Sequence, residues 1–213
     1  MLAFPMIISI ALKVIFLSYH YRSLYDAGYR HFGENYFQEL VEKSPLLPKD
    51  ISWHFIGHLQ SSKASKLIKD VPNLEMLETL DTSKLASKLN NACESIGRKL
   101  NVLVQVDTSG EDTKSGVSPG TELLELVTFI TTTCHNLIFK GLMTIGAPDD
   151  TSCFDKLVSC REEVATMLGL DTQELELSMG MSSDYEAAII KGASSVRVGS
   201  VIFGPRIYPK NEK

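Results

Sequence analysis

Hydrophobic and polar positions along this chain follow two periods, and the two take turns. Short apolar or alternating runs recur at Arg30–Glu34, Trp53–Ile56, Leu74–Thr79, Val102–Val106, Ile138–Thr144, Glu174–Ser178 and Ser195–Val198, as strands require. Between them the spacing becomes helical. Over Thr82–Gly97, Leu85, Leu89, Ala92 and Ile96 recur at three and four residues, with Asp81 or Thr82 placed to cap the start. Leu124, Val127 and Ile130 form a similar stripe in Thr121–Thr133, and Phe154, Leu157, Val164 and Leu168 form one in Cys153–Leu168. Gly97, Gly169 and Gly192 stand where helices should end.

Alternation of this kind implies parallel strands joined by crossover helices. The apolar run Met1–Tyr19, rich in β-branched residues but broken by Pro5 and Lys13, offers an eighth strand. The expected fold is therefore a single α/β domain, a (β/α)8 barrel of TIM type with an atypical or incomplete first strand. An open doubly wound sheet is the alternative, although no G-x-G-x-x-G turn follows the early strands. The N-terminal run is short for a membrane span of about 20 apolar residues. It also lacks the basic start and small-residue cleavage site of a secretory signal. No membrane partner is expected, and the cytoplasm is the default location.

Composition narrows the class. The chain has 213 residues, 44% of them hydrophobic and 22% charged, with a net charge of −5. That balance belongs to an ordinary globular protein and gives no basic face for nucleic acid. The cysteines Cys93, Cys134, Cys153 and Cys160 form no C-x-x-C pair, and no histidine joins them at zinc-ligand spacing. They read as separate reduced thiols, so neither a metal nor a disulfide framework is expected.

The candidate chemistry lies toward the C-terminus, where barrels often hold phosphate in the turns after their last two strands. Ser178-Met179-Gly180-Met181-Ser182-Ser183-Asp184 precedes a helix expected over Tyr185–Lys191. Ser182 or Ser183 can cap that helix, whose first amides suit an anion. In Arg197-Val198-Gly199-Ser200, Gly199 lets the backbone approach a ligand closely, and Ser200 offers an amide and a hydroxyl. Arg197 sits within an apolar strand, where a cation needs a partner: an ion pair within the barrel, or a ligand's phosphate or ring nitrogen. His54, inside a strand, reads as a core or rim histidine whose bonds are satisfied, rather than as a base.

Five segments then occur in order: Phe32-Gly33-Glu34-Asn35-Tyr36, Trp53–Gln60, Gly141–Ile145, Leu177–Ser182 and Val196–Ser200. Together they resemble the pyridoxal phosphate homeostasis protein family, whose barrel is like the N-terminal domain of alanine racemase. The resemblance runs from about Leu24 to Tyr208. It implies that Ser182, Gly199 and Ser200 hold the phosphate of pyridoxal 5′-phosphate with Arg197 close by. It also puts Asn35 beside the cofactor ring and Met181, with Met143, in the pocket wall. The family joins its cofactor to a lysine at the end of the first strand, in a Val-Ser-Lys setting that this chain lacks. Lys13, one residue out of register, is the candidate for that lysine, and Lys114 is a second. Residues 1–23 thus read as an atypical apolar segment in place of the usual first strand, and 24–213 as the cofactor-binding barrel. Ser62 also departs from the family's Leu-Gln-x-Asn-Lys pattern. The implied function is buffering or delivery of pyridoxal phosphate without catalysis, as a monomer or weak dimer, with apo enzymes that use the cofactor as possible recipients. The alternative is a cofactor-dependent amino-acid racemase or decarboxylase.

Overall fold

The computed structural model describes residues 8–12, 18–110, 115–148 and 150–204, with side chains from residue 21 onward. Eight parallel strands close a barrel in chain order: β1 (Ile8–Leu12), β2 (His31–Glu34), β3 (Ser52–Phe55), β4 (Leu74–Leu80), β5 (Leu100–Gln105), β6 (Leu137–Met143), β7 (Glu176–Met181) and β8 (Ser195–Val198). The apolar N-terminal run does supply a strand. β1 pairs with β2 through Ala11↔Phe32 and Leu12↔Gly33, and with β8 through Ile8↔Ser195 to Ala11↔Val198. Helices α1 (Ser18–Asp26), α2 (Phe37–Lys43), α3 (Ala64–Asp70), α4 (Ser83–Ser95), α5 (Thr121–Thr133), α6 (Ser152–Leu168), α7 (Tyr185–Ile190) and α8 (Ser200–Phe203) each follow a strand.

The strands are buried on both faces over most of their length, and successive side chains point alternately to the helices and to the barrel interior. Phe32, Trp53, Phe55, Leu77, Val102, Val104, Leu142, Leu177, Met179, Val196 and Val198 face the helices and form one continuous apolar layer with Leu85, Leu89, Ile130, Phe154 and Leu157. Inside the barrel the chemistry differs. Met76, Leu103 and Met143 form a small separate apolar cluster. Around it lie buried polar groups from His54, Glu78, Gln105, Ser178, Ser195 and Arg197. Barrel interiors of this type are usually filled by bulky branched side chains, so a polar interior calls for a reason, which the site supplies.

Several boundaries differ from the sequence reading. The seventh strand begins at Glu176 and runs to Met181, because Asp171 captures Gln173 N and the chain forms a 3-10 turn over Thr172–Glu174. Met181 is thus a strand residue. Ile96 is half exposed at the C-cap of α4, and Cys93 takes the inward place expected for it. Neither Ser182 nor Ser183 caps α7, since Asp184 occupies the N-cap. Thr82 does cap α4, its hydroxyl accepting from Leu85 N at 3.2 Å. Gly97 and Gly169 take the left-handed conformation expected after α4 and α6. The short helices α1, α2 and α3 carried too little periodicity to be read.

Two features set the geometry of the barrel's C-terminal mouth. Glu34, at the end of β2, is wholly buried. Its Oε1 accepts from Asn35 N at 2.9 Å and Tyr36 N at 3.2 Å, while its Oε2 meets Lys43 Nζ at 2.7 Å. Burial pushes this carboxyl above its ordinary range, outweighing the pull of Lys43. At the next strand, a Cβ on Gly57 would lie 1.7 Å from the carbonyl oxygen of Asn35. Only glycine lets the β2 and β3 loops pass so closely.

Two predictions follow from this packing. Gly141 has φ +148, and a Cβ there would stand 2.1 Å from Glu176 O across the β6–β7 seam. Gly141→Ala should cost about 2–4 kcal/mol from backbone strain and overpacking, read as a lower midpoint in denaturant unfolding. Lys43→Met leaves the Glu34 carboxylate buried without a counter-ion and should cost about 3–5 kcal/mol at pH 7. Because protonating Glu34 removes that charge, the deficit should shrink as pH falls toward 5. Denaturation curves at both pH values check the sign.

Candidate functional site

The turn after β7 and the turn after β8 meet at the C-terminal mouth. Gly199 N donates to Ser182 Oγ at 3.0 Å, tying the two together. Ser182 therefore accepts with one lone pair and keeps its own proton free to donate. After Gly199 the chain winds into α8, and Gly199 O accepts from Ile202 N and Phe203 N. Ser200 and Val201 precede that first closed turn, so their amides have no acceptor within the helix. Both residues are exposed. Gly199 itself has φ −119, which any residue adopts; glycine here provides clearance, not conformational freedom. The seventh-strand turn is stiffened by Asp184, whose Oδ1 accepts from Met181 N at 2.6 Å while Asp184 N donates to Met181 O at 3.1 Å.

Arg197 lies beneath these turns, 2% exposed. Its Nη1 donates to Ser178 Oγ and its Nη2 to Thr144 O, both at 2.7 Å. Ser178 Oγ in turn reaches Glu78 Oε2 at 2.5 Å. Glu78 Oε1 stands 2.8 Å from His54 Nδ1, and His54 Nε2 stands 3.0 Å from His31 Nδ1. Burial alone would raise the Glu78 carboxyl. The bonds from His54 and Ser178 and the Arg197 charge overcome it and hold that carboxyl below its usual value. His54 is thus the bonded core histidine that the sequence suggested. Glu78 and Ser178 were not singled out, although an acid inside an apolar strand needs a partner by the same argument that marked Arg197.

The other expected residues fall as follows. Asn35 is half-buried just past β2, its carbonyl against Gly57 and its amide bonded to Glu34. Met181 is half-buried at the end of β7. Met143 has no exposed surface and packs with Met76 and Leu103 in the barrel interior. Lys13 and Lys114 lie outside the described residues. The rim also carries Thr144, whose hydroxyl bonds Thr108 Oγ1 at 2.9 Å and accepts from Gly146 N at 3.2 Å. Lys156 Nζ donates to Thr108 O at 2.9 Å.

Among the described residues no helix is long and apolar enough to cross a membrane, and no group of His, Cys, Asp or Glu is arranged to hold a metal ion. The donors gathered at the paired turns are the Ser182 hydroxyl, the amides of Ser200 and Val201 and the Ser200 hydroxyl, above a buried guanidinium. That set suits a phosphate monoester, which accepts several hydrogen bonds and carries negative charge.

Residues 17–207 match the family model described as alanine racemase, N-terminal domain. The pyridoxal phosphate homeostasis protein of Mus musculus is 46% identical over 204 residues, covering 87% of this chain and 72% of the relative. That of Schizosaccharomyces pombe is 50% identical over 188 residues, covering 85% and 77%. Among solved structures, PipY of Synechococcus elongatus without PLP superposes with a TM-score of 0.82 at 30% identity, covering 93% of each chain. The structure of PipY with PLP bound gives 0.79. An eight-stranded barrel of the same type, matched over nearly its whole length at such identities, leaves the kinship plain: this chain belongs to the pyridoxal phosphate homeostasis protein family.

Proposed function

We propose that this protein binds pyridoxal 5′-phosphate at the C-terminal mouth of its barrel and serves to buffer or deliver that cofactor in the cytoplasm, without catalysing a reaction on it. The observation that carries this reading is the Gly199–Ser182 hydrogen bond. It joins two turns so that a hydroxyl proton and two amides face outward above Arg197. In this arrangement Ser182, Gly199 and Ser200 hold the phosphate, and Arg197 supplies positive potential from below. Asn35 and Met181 flank the ring. When bound, the cofactor contributes an aldehyde and an electron-withdrawing ring. Lys13, next in the chain after β1, and Lys114 are the candidates to meet the aldehyde.

Holding is favoured over catalysis by the state of the ionisable groups beside the turns. Arg197 is engaged by Ser178 and Thr144, and Asp184 by the Met181 amide. Arg197 stays charged and does not exchange protons, and a racemase needs acid–base groups on both faces of its bound cofactor. The proposed partners are the cofactor itself and apo enzymes that receive it, with the chain acting as a monomer or weak dimer.

The purified chain, titrated with pyridoxal phosphate, should show saturable binding in near-ultraviolet and visible absorbance. Borohydride reduction and peptide mapping should then place a pyridoxyl label on Lys13 or Lys114. Ser200→Glu puts a carboxylate where the phosphate sits and should weaken binding at least about a hundredfold, since opposed like charges cost several kcal/mol. Unchanged retention by this variant would show that the phosphate lies elsewhere. Racemisation or decarboxylation of an amino acid that depends on added cofactor would instead establish the enzyme.

A further inference from the structure

The polar side chains inside the barrel form one continuous run from its N-terminal mouth to Arg197. His31 begins it at the start of β2, half-buried, and His54, Glu78, Ser178 and Arg197 continue it across β3, β4, β7 and β8. Donor and acceptor chemistry gives nearly every bond a direction. Arginine only donates, so Ser178 accepts from Nη1 and sends its single proton to Glu78 Oε2. Glu78 must then be an acceptor there, as a carboxylate. Its Oε1 accepts from His54 Nδ1–H. A neutral His54 has its Nε2 left to accept from His31 Nδ1–H. Donors therefore converge on one carboxylate from both sides: guanidinium through a hydroxyl from one, imidazoles from the other.

The remaining charged groups that face this run are few. Glu75 on β4 acts on His31; Glu176 on β7 interacts with Glu78 and His54 and is itself countered by Lys140 on β6; Asp184 acts on Arg197. The sequences of β1 and β5, ISIAL and LNVLVQ, contain no titratable residue. His31 is the member of the run nearest solvent, and it can take a further proton on Nε2 without breaking a bond already described.

We infer that Glu78 and His54 are positioning residues for Arg197, and that His31 is the proton-sensitive end of a buried relay that sets how strongly the mouth above Arg197 holds an anion. This rests on the cofactor reading. While both imidazoles are neutral, Glu78 offsets the arginine charge. A proton taken up by the His31–His54 pair gives Glu78 a second cation to balance and leaves more of the Arg197 charge uncompensated. The anion above it is then held more firmly. Burial and the neighbouring His54 both lower the His31 titration from its ordinary value, so the rise belongs on the acid side of about pH 6.5.

Two readouts test this. The first is pyridoxal phosphate affinity from pH 5 to 8 for the wild type, His31→Gln and Glu78→Gln. His31→Gln should match the wild type at pH 7.5 and lose a several-fold gain in affinity on acidification. Glu78→Gln removes the carboxylate that offsets Arg197, so by the same argument it should bind several-fold more tightly than the wild type at pH 7.5 and show no further gain on acidification. The second readout is nitrogen NMR of the imidazoles in the cofactor-free wild type, where protonation of His31 should perturb the ring nitrogens of His54, its hydrogen-bond partner. An unchanged pH profile in His31→Gln, or wild-type affinity in Glu78→Gln, overturns the inference. If Glu78→Gln does not fold, the His31→Gln profile and the wild-type NMR decide. A wild-type chain that binds no pyridoxal phosphate defeats the cofactor reading instead. The relay then stands if the His54 ring nitrogens respond to His31 protonation and falls if they do not.

Discussion

The Glu78 carboxylate is the group around which the barrel interior is arranged. A guanidinium inside a strand-lined cavity is unstable unless its charge is balanced and its protons are accepted. Arg197 meets both conditions, through Ser178 to Glu78 and directly to the Thr144 carbonyl. Glu78 needs more than one donor to remain ionised away from water, and His54 supplies the second. The polar interior thus follows from placing one cation beneath the mouth. Methionines 76 and 143 fill the irregular volume left beside it, a role that unbranched, adaptable side chains suit.

Above that cation the architecture depends on closeness between backbones. The mouth is assembled from turns brought together by the barrel, and each is restrained by the strand end it leaves. Glu34 pins the Asn35 amide, Asp184 pins Met181, and Ser182 pins Gly199. Glycines appear where one turn must pass another, as at Gly57 against the Asn35 carbonyl. The donors left over point outward because the chain's own requirements have used the others. On the function proposed above, these outward donors are the groups that would meet the phosphate.

Much of the fold was legible because it depends on local period. Strand and helix alternation appears in residues a few positions apart, and the barrel follows from its regularity. The apolar start could be read as a strand from its β-branched content, and pairing with β8 bears that out. The short helices could not be read: α2 buries its inward face partly through Lys43, a charged residue that hides the stripe. The paired turns were visible as Ser/Gly sequences, and the hydrogen bond from Gly199 N to Ser182 Oγ joins them. The relay was not legible as a unit, since His54 and Glu78 are separated by 24 positions and Glu78 and Ser178 by 100. Only the folded register shows which distant acid answers a buried base. The capping of α7 was not legible: Asp184 stands at the N-cap but turns its carboxylate back to Met181 N, and Ser182 accepts from Gly199 N.

The pairing of β1 with β8 carries a consequence for how the molecule is made. Ile10 lies opposite Arg197, and Ala11 opposite Val198, so β1 finds its second neighbour only when β8 has been made. Until then both sheet edges stand open, and the seam beside the phosphate turn does not exist. Closing so long a loop is entropically slow and leaves edges available for wrong pairing meanwhile. Maturation of the mouth and closure of the sheet are consequently one event, which waits for β8. A ligand that binds only the closed form draws the population toward it by mass action.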